Sequence, residues 1–144
     1  MTEKLEQLEI VLRTILPEHC IISDRRAVEP FTADTSSNIQ EVSLVVRPDN
    51  KEQVQQLVIL ANRINFPLYP VSTGHNWGYG TSQPSQKGCI LVLLDRLKQI
   101  ALDDNLSLLT IEPGVTQADL YNYFQSRGLE YMVPTTGAGP NCSI

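Results

Sequence analysis

The chain has 144 residues, 42% of them hydrophobic and 19% charged, with a formal net charge of −5, an ordinary globular composition of a length that suits one domain. That acidity, with no lysine- or arginine-rich tract to offset it, excludes nucleic acid as the expected partner, because phosphate binding needs a basic surface. No stretch reaches membrane-spanning length, and the N-terminus MTEKLEQLEIVLRTIL alternates charge with apolar residues where a signal peptide would be uninterrupted.

Leu5, Leu8, Leu12, Ile15 and Leu16 recur at helical spacing and Pro17 stops them, so the first element is a helix. Cys20-Ile21-Ile22 reads as a short strand, and Asp24 to Gln40 as loop with brief extended pieces. Val42–Val46 is a β-branched strand. Asp49-x-x-Glu52 has the form of a capping box, and Val54, Leu57, Val58, Ala61 and Ile64 behind it form one apolar face. A helix over about residues 50–64 follows. Phe66 to Val71 is the next strand signal, and strand, helix, strand with short connections implies a parallel pair.

Cys89 to Leu94 is a continuous apolar run, too short for a typical helix, and reads as a strand buried on both faces. Ile100–Leu102 and Leu106–Ile111 flank Asp103-Asp104-Asn105 as a hairpin signal. Thr116-x-x-Asp119 caps another helix carrying Leu120, Tyr121 and Phe124, with Gly128 as its C-terminal glycine. The segment from Val133 to Ile144 is loop-like. Three cysteines, Cys20, Cys89 and Cys142, are scattered and odd in number, which fits a reducing, cytoplasmic setting better than a disulfide framework. His19-Cys20 makes half of a metal site, but nothing at ligand spacing completes it, so no metal is expected.

The chemistry concentrates in Tyr69–Gly88, YPVSTGHNWGYGTSQPSQKG. Its G-x-x-x-G-x-G spacing is not a Rossmann fingerprint, which needs a helix opening at the third glycine. Nor is it a P-loop, since Lys87-Gly88 stands in the wrong order. Gly74, Gly78 and Gly80 can adopt positive φ cheaply and leave room for a ligand. Amides turned inward around them would form an anion nest, with Ser72, Thr73 and Asn76 as neutral donors. Three glycines that merely turn the chain between strands are the competing reading. His75 is either a surface residue or a chemical participant, with a ring nitrogen available as a nucleophile near neutral pH. Trp77 and Tyr79 could equally anchor the loop in the core.

Together the blocks VVRPDNKEQVQQLVILANRINFPLYPVSTGHNWGYG, VLLDRLKQI, IEPGVTQADLYNYF and VPTTGAGPNCS resemble, in order, the N-terminal part of the FAD-binding domain of the vanillyl-alcohol oxidase and p-cresol methylhydroxylase family. The resemblance implies a PCMH-type FAD-binding subdomain of the α+β class with an α/β-like βαβ unit. It covers residues 42–144, behind an N-terminal helix and irregular lead-in over 1–41. It assigns the loop Ser72, Thr73, Gly74, His75 and Asn76 to the FAD pyrophosphate. Gly78 and Tyr79 join that cofactor-binding set, and Pro134, Thr135, Thr136 and Gly137 are placed along the flavin. Glu112, Pro113 and Gly114 are expected to be structural.

His75 departs from the cresol-type pattern, in which arginine is common at this place. In other branches of the superfamily a matching histidine is joined covalently to the flavin 8α-methyl group, so FAD covalently tethered through His75 and FAD held without a bond are both expectations. Family members continue past the equivalent of Ser143 with more of the FAD domain and a substrate domain. The chain is therefore expected to be a truncated cofactor-binding portion of an oxidase or dehydrogenase of alcohols, phenols or hydroxy acids. No catalytic residue is assigned within it. Self-association, or a second chain completing the domain, is expected at the sheet edge left unpaired. The alternative is a βαβ interaction or structural module that no longer binds FAD.

Overall fold

In the computed structural model, which describes residues 2–32, 41–75, 83–132 and 139–144, the chain opens with helix α1 (Thr2–Ile15). Leu8 and Leu12 of α1 and Leu16 just beyond it are buried, as their spacing requires. A single turn of 3-10 helix, Glu18–Cys20, leads into β1 (Ile21–Ile22), so Cys20 ends the turn rather than starting the strand. The stretch expected as loop begins with a short helix, α2 (Arg25–Val28), because the Asp24 carboxylate accepts from the amides of Arg26 and Ala27. Residues 33–40 lie outside the described residues.

β2 (Val42–Val46) is followed by α3 (Lys51–Ile64). The cap of α3 is one residue later than expected. Asn50 accepts from Gln53 N at 2.9 Å, and Gln53 Oε1 accepts from Asp49 N at 2.7 Å. The Asp49 side chain is thereby left for other partners. The buried face of α3 is also rotated: Leu57, Leu60 and Ala61 are buried, whereas Val58 and Ile64 are exposed. Asn65 closes α3 in the left-handed conformation, φ 52°, which asparagine tolerates better than most side chains.

β3 (Leu68–Val71) and β4 (Cys89–Leu93) complete a four-stranded sheet in the order β1-β2-β4-β3. β2 and β3 are parallel in sense, as the strand-helix-strand pattern implies, but they are not neighbours. β4 lies between them, parallel to both, pairing Val45 with Leu91 and Tyr69 with Leu91. Every residue of β4 is buried, which is what a central parallel strand covered on both faces requires. Its side chains alternate between two cores. Ile90 and Val92 meet Leu44, Val46 and the α1 and α3 leucines; Leu91 and Leu93 meet Val45, Val71 and Val28.

The second part of the chain is a hairpin, β5 (Ile100–Asp103) and β6 (Leu108–Ile111), with α4 (Gln117–Ser126) packed on it. Asp103 Oδ1 accepts from Asn105 N and Leu106 N, which folds the turn. Leu120 and Phe124 of α4 are buried against Val115, Ile100, Leu109 and Ile111, while Tyr121 is exposed. Among the described residues no helix is long and apolar enough to cross a membrane.

Candidate functional site

The parallel strands β2, β4 and β3 all run toward one edge of the sheet, and open α/β sheets bind ligands at that edge. The loop Ser72–His75 leaves β3 there. Val71 is buried as the last strand residue, and Gly74 takes φ +73°. That left-handed turn is cheap only for glycine and is the local geometry from which an amide nest is built.

The loop is held from outside the sheet by the chain's last residues. Ser72 Oγ lies 2.8 Å from Ser143 Oγ, and the Cys142 thiol donates to the His75 carbonyl at 2.7 Å. The same segment caps α4. Gln117 N donates to Cys142 O and Ala118 N to Pro140 O, both at 3.0 Å, and Ser143 bridges Thr116 in antiparallel fashion. Residues 139–144 thus sit between the β3 loop and the N-terminus of α4. Cys142, Ser143 and Gln117 were not singled out as site residues from sequence. Their roles depend on contacts across up to 71 positions, for which no local pattern exists.

Among the described residues, two polar side-chain atoms here are buried with no hydrogen-bond partner, Thr73 Oγ1 and Gln117 Oε1. A buried hydroxyl left unmade costs on the order of 1–3 kcal/mol, so an orphan in a loop turned by a left-handed glycine fits a site completed by a ligand. Thr73 can donate to an anionic oxygen, and a left-handed glycine is the kind of turn that lets neighbouring amides do the same. These residues suit a pyrophosphate. Ser72, Thr73, Gly74 and His75 are therefore brought together at one edge, with the His75 side chain exposed. Asn76, Gly78, Tyr79, Pro134, Thr135, Thr136 and Gly137 lie outside the described residues.

A second cluster lies beyond β2 and β4. Arg47 and Asp95 form a bidentate pair, with Arg47 Nε 2.8 Å from Asp95 Oδ1 and Nη2 on Oδ2. Arg96 Nη1 contacts Asp49 Oδ1 at 2.9 Å. The other Asp49 oxygen is 2.7 Å from His19 Nε2 and 3.2 Å from Cys20 Sγ. Bonds from Cys20 and His19 hold the Asp49 carboxyl down at about 2, and burial followed by the Asp49 contact pushes the Cys20 thiol up to about 11. The partner that His19-Cys20 lacks along the sequence is supplied through space by Asp49. All three cysteines are buried free thiols.

Residues 42–144 match the sequence pattern of the family described as FAD binding domain. The chain is 33% identical over 144 residues to 1'-carboxy-chondrochloren decarboxylase of Chondromyces crocatus, covering 99% of this chain and 27% of that protein. It is 36% identical over 103 residues to the 4-cresol dehydrogenase [hydroxylating] flavoprotein subunit of Pseudomonas putida, covering 68% of this chain and 20% of that one. Its fold superposes on p-cresol methylhydroxylase, solved with substrate bound, at a TM-score of 0.80 and 27% identity, covering 87% of this chain and 25% of that one. The chain thus spans about a quarter of the length of such relatives. A pattern matched over residues 42–144, more than half of the chain, places this chain in the FAD-binding domain family.

Proposed function

We propose that this chain is the cofactor-holding portion of a flavin-dependent oxidoreductase, in which the loop after β3 cradles the FAD pyrophosphate. The observation that carries the reading is the buried, unpartnered Thr73 hydroxyl beside the left-handed Gly74. FAD, when bound, supplies the acceptor for a hydride from an alcohol, phenol or hydroxy acid, and passes the electrons on to oxygen or another acceptor. The relatives named for cresol favour a phenolic substrate.

The chain's own residues bind and orient. With FAD bound, the left-handed Gly74 would let loop amides turn toward the phosphates and the Thr73 hydroxyl would donate a hydrogen bond, while Ser143 and Cys142 hold Ser72 and the His75 carbonyl in place. The family resemblance would add Asn76, Gly78 and Tyr79 to this cradle and set Pro134, Thr135, Thr136 and Gly137 along the flavin; all seven lie outside the described residues. His75 is the candidate for a covalent tether to the 8α-methyl group, its carbonyl pinned and its imidazole exposed.

Titration of FAD fluorescence with the purified chain tests the reading. Thr73→Val keeps the shape but loses the donor. A hydrogen bond to a charged group is worth about 1.5–3 kcal/mol, so affinity falls about ten- to a hundredfold while the thermal midpoint does not drop. Equal binding by wild type and variant would remove Thr73 from the site. No binding by the wild type would point to the interaction-module alternative. For the tether, flavin absorbance surviving denaturation, with an FAD-sized mass increment lost in His75→Ala, is expected; a wild-type chain that releases all its flavin denies it.

A further inference from the structure

His19, Cys20 and Asp49 carry a donor set that cofactor holding does not use. The antiparallel register Ile21–Val46, with Arg47 N donating to Cys20 O at 2.8 Å, brings the turn before β1 against the segment between β2 and α3. One imidazole nitrogen, one thiol sulfur and one carboxylate oxygen then converge within 4.8 Å of one another. Gln53 Oε1 lies 3.7 Å from the same sulfur. We propose that His19, Cys20 and Asp49 form a binding site for a borderline-soft divalent transition metal of the zinc type, with water or Gln53 Oε1 in the fourth position.

The ligand chemistry and the geometry agree. Zinc takes N, S and O donors at about 2.0–2.3 Å in a tetrahedron, and three protein ligands plus one open position is a recurring arrangement. Sulfur with imidazole disfavours magnesium and calcium, which take oxygen donors. Tetrahedral ligands at those lengths stand roughly 3.3–3.6 Å apart. The Cys20–Asp49 separation of 3.2 Å is close to this, and the His19–Asp49 separation of 2.7 Å must open slightly. His19 can make that movement, because its side chain is 61% exposed, while Cys20 is fixed in the core.

On binding, the Cys20 S–H bond breaks, the sulfur–metal bond forms, and the proton passes to solvent. His19 enters neutral, and nothing is oxidised or reduced. A divalent ion, one thiolate and one carboxylate sum to zero charge, so Arg96 beside the site faces no net positive centre. Its bond to the other Asp49 oxygen, at 2.9 Å, orients the ligating carboxylate as outer partners of metal ligands commonly do.

Cobalt(II) alone, added to the reduced full chain, is the probe. The expected result is a thiolate-to-cobalt absorption band saturating at one equivalent and displaced by zinc. Cys20→Ser should abolish the band. His19→Ala, a change at an exposed side chain, should weaken cobalt binding about tenfold or more with an unchanged circular dichroism spectrum. No band in the wild type overturns the site. So does a band that persists in Cys20→Ser, which would assign it to Cys89 or Cys142, or an affinity unaltered in His19→Ala.

Discussion

A Cβ placed on Gly114 would stand 2.6 Å from Leu97 O and 2.7 Å from both Asp95 O and Leu94 O. Gly114 N also donates to Leu97 O at 2.8 Å, and the neighbouring Glu112 carboxylate accepts from Gln99 N at 2.7 Å. The glycine is required for close backbone approach, and no side-chain rotation relieves a clash with three carbonyls. Gly114→Ala is therefore expected to cost about 3 kcal/mol, the upper part of the usual overpacking range. A urea midpoint lowered at constant slope would show it; an unchanged midpoint would mean that the loop shifts freely. At the same scale His75 enters the structure through its carbonyl, a role its side chain gave no hint of.

Among the elements, α4 is the one whose ends follow the sequence rule residue by residue. Thr116 Oγ1 accepts from Asp119 N at 3.1 Å, and Asp119 Oδ2 accepts from Thr116 N at 3.0 Å. Burial works against the ionised Asp119, but bonds from Lys98 and from Thr116 outweigh it and hold the carboxyl below its ordinary value. A carboxyl lowered in the folded state stabilises fully above its unfolded value near 4, and that contribution disappears as pH falls through the folded value. The pair with Lys98 is half-exposed, so solvent screening limits it to about 1 kcal/mol or less. Asp119→Asn should lower the urea midpoint more at pH 6 than at pH 3. Equal losses at both values would show that the carboxylate charge is irrelevant and only the cap's shape matters. In α3 the same motif logic slips by one residue, because Asn50 and Gln53 compete successfully with Asp49 and Glu52.

For the molecule as a whole, β4 is the keystone: it separates β2 from β3 and feeds both cores. Leu91, fully buried, pairs with Val45 on one side and Tyr69 on the other. Leu91→Ala should cost about 2–5 kcal/mol, whereas Leu108→Ala on the exposed hairpin should stay within about 0.5 kcal/mol. Similar losses for the two in equilibrium unfolding would contradict a core centred on β4. The β3 loop is anchored through Val71, which packs in the Leu91 core, so FAD binding should weaken with the Leu91 variant as well.

The amino-acid sequence by itself determined the identity and approximate limits of most elements, the burial of β4, the hairpin and the α4 cap. Periodicity, turn residues and caps act over a few neighbouring positions, so a short window carries them. It also drew attention to the Tyr69–Gly88 stretch, because glycines beside hydroxyl donors can form a turn able to face an anion, with a plain turn between strands as the competing reading. The tertiary structure decided that β4 lies between β2 and β3, since an apolar run shows which faces are buried but not which strand stands alongside. It decided that Asp49 meets His19 and Cys20 across about thirty positions, and that Cys142 and Ser143 close on the β3 loop across 67 and 71. Those contacts are products of packing, and side chains so far apart along the chain leave no periodic trace of one another.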